Sequence, residues 1–144
     1  MQGIRIIEFP DCKMVSSGIG MFGEEKFGKF YEWFTSQPVT IFPKNFLFSD
    51  GGGLNWIYLY DEGLDVPADF DIIDFKGGFY AIATDIDQKT DMAALDAGRD
   101  EFLKANGFAV DESRPRMGNV ITSVKANEIM GYNQMDYYTP IKAV

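Results

Sequence analysis

The chain has 144 residues, 46% of them hydrophobic and 15% aromatic, which suits one globular domain with a sizeable core. Its formal charge of −9 argues against the basic face that nucleic-acid binding requires. With no histidine and one cysteine, Cys12, it lacks the groups for Ser-His-Asp or Cys-His catalysis, for histidine ligation of a metal or haem, and for an internal disulfide.

The opening MQGIRIIEFP has no long apolar stretch, and no later run approaches transmembrane length. A soluble, cytoplasmic protein is expected, with no membrane or direct nucleic-acid partner and no metal or other cofactor. From Ile6, IIEFPDCKMVSSGI gives two apolar runs around PDCK, the pattern of a β-hairpin. GIGMFG then spells G-x-G-x-x-G at Gly18, Gly20 and Gly23. A dinucleotide fold needs helices that link parallel neighbouring strands. Here a hairpin precedes the helix, so these glycines read as a flexible turn.

In GEEKFGKFYEWF, Phe27, Phe30, Tyr31 and Phe34 fall at helical spacing and make one apolar stripe. Two strand-like segments follow, NFLFS and LNWIYLY, joined by DGGG. The link DEGLDVPAD, 61–69, is too short to separate independent domains. From Ile72, IIDFKGGFYAIATDI repeats the opening hairpin with KGG as its break. A second helix is predicted over TDMAALDAGRDEFLKANG, with Met92, Leu95, Phe102 and Leu103 as its stripe, Thr90 as its cap and Gly107 at its end. GNVITSV reads as a strand, KANEIMG as a short helical turn and NQMDYYTPI as the closing strand.

The order ββαββ therefore occurs twice, over residues 4–60 and 70–142 of a single domain spanning 1–144. It predicts an α+β fold of two pseudo-symmetric ββαββ modules, with an antiparallel sheet, two helices on one face and a central ligand cleft. Laying NWIYLY over NQMDYY sets Tyr58 against Asp136. Strand alternation puts Gln134 and Tyr138 on the Asp136 side. Taken alone, a strand aspartate is more often a solvated edge residue, and Phe27, Phe30 and Trp33 suit a core better than a binding surface.

The paired modules, the FKGGFYAIAT segment and the closing MDYYTPIK resemble the GyrI-like effector-binding domains. These stand at the C-terminus of AraC-type and MerR-type multidrug-sensing regulators and also occur as free-standing proteins. The resemblance spans essentially the whole chain. It implies an aromatic-lined cleft with a buried acid that takes amphipathic, often cationic, small molecules, in sensing or sequestration linked to transcription regulation. Family members usually carry glutamate in the closing strand, where this chain has Asp136. Some place the key acid in the preceding strand, where GNVITSV has none. No helix-turn-helix is seen, so the chain resembles the free-standing type.

The resemblance points to Asp136 and Phe27 and strand alternation to Tyr138, the repeat adds Trp56, Tyr58 and Tyr60 from the opposing strand, and Tyr80 completes the expected ligand residues. Binding is expected rather than turnover, with a hydrophobic or cationic aromatic small molecule as partner. An alternative comes from free-standing relatives that hydrolyse strained cyclopropane-bearing toxins. Asp136 would activate water and Tyr58 or Tyr138 would act as the acid. Haem uptake would need Met, Tyr or Cys12 as the axial ligand and is not expected.

Overall fold

A computed structural model describes residues 3–144. In chain order the strands and helices are β1 (Arg5–Phe9), β2 (Cys12–Gly20), α1 (Glu25–Thr35), β3 (Asn45–Asp50), β4 (Gly53–Leu59) and β5 (Asp71–Phe75). They continue with β6 (Gly78–Ile86), α2 (Met92–Ala105), β7 (Phe108–Val110), β8 (Met117–Val120), α3 (Val124–Met130) and β9 (Gln134–Ala143). The chain is α+β, and its strand pairs are antiparallel.

Neither expected hairpin forms. β1 pairs with β6, setting Phe9 against Gly78, and β2 pairs with β5, setting Cys12 against Phe75. Gly78 takes a φ of +140°, well above the values that a type I′ turn requires. The Asp11 carboxylate accepts from the Gly77 N–H at 2.7 Å, which ties the two ends of the β2–β5 pair together. The chain accordingly divides into two compact units, Asp11–Gly77 and the residues up to Pro10 together with Gly78–Val144.

In the Asp11–Gly77 unit the strand order is β3-β4-β2-β5. The helix α1 lays Phe27 and Phe30 onto the face that carries Val15 and Tyr58, with Phe70 closing the cluster. Ser16, Asn55 and Ile57 alternate onto the opposite face. The β2 ladder slips between Ser16 and Ile19, where Gly18 takes a φ of +77°. The first glycine of GIGMFG thus serves a bulge, a position that favours the left-handed region.

In the other unit the order is β1-β6-β9-β8, with β7 added to β9. Leu103 of α2 covers Ala81 and Ile141. Arg99 of the same helix, only 6% exposed, reaches the Thr139 hydroxyl at 3.2 Å and the Asp96 carboxylate at 2.7 Å. Asp91 rather than Thr90 caps α2, accepting from the Ala94 N–H at 3.1 Å. Thr90 instead donates to the Ile86 carbonyl. Met92, placed on the apolar stripe by its spacing, is 45% exposed because it sits in the first turn, beyond the sheet that Leu103 covers.

Candidate functional site

Asp136 lies in β9 between Thr84 of β6 and Asn119 of β8 in the strand register. Thr139 and Ile141 face α2, so alternation puts Asp136, Tyr138 and Pro140 on the side away from that helix. Asp136 is 4% exposed. The Thr84 hydroxyl donates to one carboxylate oxygen at 2.5 Å and the Arg5 guanidinium to the other at 2.8 Å.

Both of these donors are themselves open to solvent, Arg5 with 52% of its side chain exposed. The acid is therefore buried beneath a polar cap only one side chain thick. Its charge is also not alone. A buried carboxylate without a partner would carry the full cost of desolvation, and Arg5 removes most of that cost.

Rings continue along the same face. Tyr80 and Tyr138 meet edge to face with centroids 6.3 Å apart, and Phe9 meets Tyr80 at 5.7 Å. Arg114, 9% exposed, places its guanidinium carbon 4.9 Å from the Tyr80 ring centre. It is fixed there by the Asp111 carboxylate and the Phe79 and Ile141 carbonyls. Hydrogen bonds from Ser113 and Arg114 hold the Asp111 carboxyl well below the usual carboxylate range.

Burial, and then the Asp136 charge, push the Tyr138 hydroxyl above its ordinary value, against weaker pulls from Asn119 and Arg5. The Asn119 amide is close enough to act on that hydroxyl. Among the described residues, however, neither of its polar atoms has a partner of good hydrogen-bond geometry.

The other sequence-predicted residues belong to the Asp11–Gly77 unit. Trp56 stands among five rings, with Phe22, Phe27, Phe30, Tyr31 and Phe34 at centroid distances of 5.1–6.1 Å. Phe27 and Tyr58, at 2% and 7% exposed, spend their surface on this packing, and Tyr60 packs on its edge. The cluster is most open at its rim, where Phe22 and Tyr31 are 62% and 47% exposed.

The repeat alignment must be corrected as well. Val15 and Ala81 are equivalent in the repeat and pair with Tyr58 and Thr139. Asn55, not Tyr58, is thus the counterpart of Asp136. Like Asp136, Asn55 is buried on the face away from its helix, and its amide oxygen accepts from the Ser16 hydroxyl at 2.7 Å.

No protein-family model matches the sequence, and no curated protein does. Solved structures do match. A hydrolase from Listeria innocua shares 12% identity, with a TM-score of 0.68 over 98% of this chain and 92% of that one. The C-terminal domain of EcmrR shares 11% identity, with a TM-score of 0.59 and 98% of each chain covered. EcmrR in a complex with DNA matches at 9% identity and a TM-score of 0.65, over 98% of this chain and 57% of that chain. The chain shares their fold. That common fold includes the EcmrR C-terminal domain and accords with the α+β architecture expected from the repeat.

Three residues at the Asp136 site went unforeseen: Arg5, Thr84 and Asn119. Arg5 did leave a signal. In IRII it is the one charge among isoleucines, at a position whose neighbours Ile4 and Ile6 pack toward α2. Alternation alone places its side chain on the other face. Thr84 and Asn119 depend on the β6–β9 and β8–β9 registers and left no such mark.

Proposed function

We propose that this chain is a small-molecule-binding domain that takes up amphipathic aromatic compounds for sensing or sequestration, with Tyr138 and the Arg5 and Thr84 cap over Asp136 as polar anchors. The observation that carries this reading is the carboxylate held 4% exposed under two solvent-facing donors. A charge kept at such depth is a costly choice for a strand that could have carried an apolar residue. The tyrosines beside it give flat surface at low entropic cost, which suits varied planar ligands. The ring rim at Phe22 and Tyr31, with Trp56 behind it, is a stacking surface of the Asp11–Gly77 unit, and Trp56, Tyr58, Tyr60 and Phe27 act there as its support. EcmrR has this fold within a longer chain seen bound to DNA, which fits a role in which occupancy is passed to a regulator.

Hydrolysis through Asp136 and a tyrosine would first require Arg5 and Thr84 to release the carboxylate, so binding without turnover is the better reading. Titration of Nile red, followed by dye emission, tests it. Saturable binding with a Kd on the order of micromolar is expected. Thr84→Trp, which thickens the cap over Asp136, should weaken binding about tenfold or more. Linear, non-saturating emission would refute the function. Full affinity in Thr84→Trp would refute the location.

A further inference from the structure

We propose that Arg5 is a specificity-determining residue which, by neutralising Asp136, makes this site select uncharged aromatic ligands over monocations. The claim presupposes the small-molecule reading above and adds the charge class of the ligand.

The geometry supplies the reason. Asp136 is the one carboxylate among the described residues that is both nine-tenths buried and capped by exposed donors. Its Oδ2 is 2.8 Å from the Arg5 guanidinium, the place an external ammonium or amidinium would otherwise occupy. A cationic ligand must therefore displace a tethered cation whose effective concentration is very high, and gains little by doing so. An anionic ligand gains little as well, because the guanidinium charge is already matched by the acid. A neutral ring system meets neither obstacle. It can rest against the alkyl stem and planar head of Arg5, and the Tyr138 and Thr84 hydroxyls offer hydrogen bonds nearby.

The same logic fixes what each charge deletion does. Arg5→Gln leaves the acid unmatched and creates a cation site. Asp136→Asn leaves the guanidinium unmatched and creates an anion site. The double variant is neutral again.

The experiment measures three dyes, rhodamine 6G as the cation, Nile red as the neutral probe and fluorescein as the anion, against the wild type and all three variants. Circular dichroism confirms folding. In the wild type Nile red should bind most tightly. Arg5→Gln should tighten rhodamine 6G at least about tenfold relative to Nile red, as expected for a charge-assisted contact. Asp136→Asn should shift the ratio toward fluorescein, and the double variant should return to the wild-type order. Should one single variant fail to fold, the other single and the double still give opposite expectations. Dye ratios that stay constant across the folded variants would overturn the role of Arg5 while leaving small-molecule binding intact. No saturable binding of any dye by any variant would overturn both.

Discussion

The Arg5–Asp136 pair can be weighed by a double-mutant cycle on stability. Exposed ion pairs are worth about 0–1 kcal/mol, and breaking a fully buried pair costs about 3–5 kcal/mol. This pair is mixed, with side-chain exposures of 52% and 6%. Water screens the arginine end while the acid end remains in a low-dielectric setting. Thr84 also continues to satisfy one carboxylate oxygen when Arg5 is removed. The coupling energy should therefore fall between the limits, at about 1–2 kcal/mol. Urea unfolding of the wild type, Arg5→Gln, Asp136→Asn and the double variant measures it, with constant m-values confirming that the same transition is compared. Arg5→Gln alone should lower the Tm by about 3–8 °C in a chain of this size. The double variant should recover much of that loss. A coupling below about 0.5 kcal/mol, within ordinary non-additivity, would show that the pair does not form in solution and would remove the basis for charge selection.

Three further outcomes follow from the packing. Gly78→Ala should destabilise by about 3 kcal/mol, because its φ of +140° strains any L side chain and the new Cβ would sit 2.7 Å from the Arg114 guanidinium carbon. Gly118→Ala should cost less, since its nearest clash is the mobile Met135 methyl group. Equal losses in urea melts would refute that distinction. Trp56→Ala should cost about 3–5 kcal/mol by emptying the centre of the ring cluster, whereas Phe22→Ala at the rim should stay within about 1 kcal/mol. Calorimetry that found the reverse would mean that the cluster is centred elsewhere. Burial raises the hydroxyl pKa values of Tyr58, Tyr80 and Tyr138. Their neutral forms stabilise the fold fully below the unfolded value near 10, and that contribution is lost as pH climbs through the raised folded values. Absorbance at the phenolate band should show these three of the seven tyrosines titrating last, together with unfolding. An early, fully reversible titration of all seven would contradict their burial.

Much of the fold could be read from periodicity. The stripes Phe27–Phe30–Tyr31–Phe34 and Met92–Leu95–Phe102–Leu103 placed α1 and α2, although Tyr31 and Met92 are exposed, and alternation placed β3, β4, β6 and β9. Pairing could not be read this way, because alternation shows that a segment is a strand and leaves its partner open. PDCK and KGG looked like turns by composition, yet they are the points where the chain passes from one unit to the other. The repeat register failed for a similar reason. Tyr58 and Asp136 align by aromatic content, but the ladder pairs Val15 with Tyr58 and Ala81 with Thr139, which moves the match to Asn55. That slip turned the aromatics of β4 onto the helix-covered face, where they pack as core. The acid itself was reached through the family resemblance of MDYYTPIK, since a strand aspartate taken alone reads as a solvated edge residue. Its neutralising partner lies 131 positions away in sequence, beyond the reach of any local pattern.

The nested connectivity also sets a timetable for synthesis. β1 leaves the ribosome first, but its partner β6 does not exist until Gly78 and the residues after it have been made. Every strand of the Asp11–Gly77 unit can find its mate during that interval, so this unit can close while β1 waits with both edges bare. Arg5 and Glu8, the two charges in that waiting ribbon, are well placed to discourage edge-to-edge association until β6 arrives. The residue that tunes the finished site would then also guard the nascent chain.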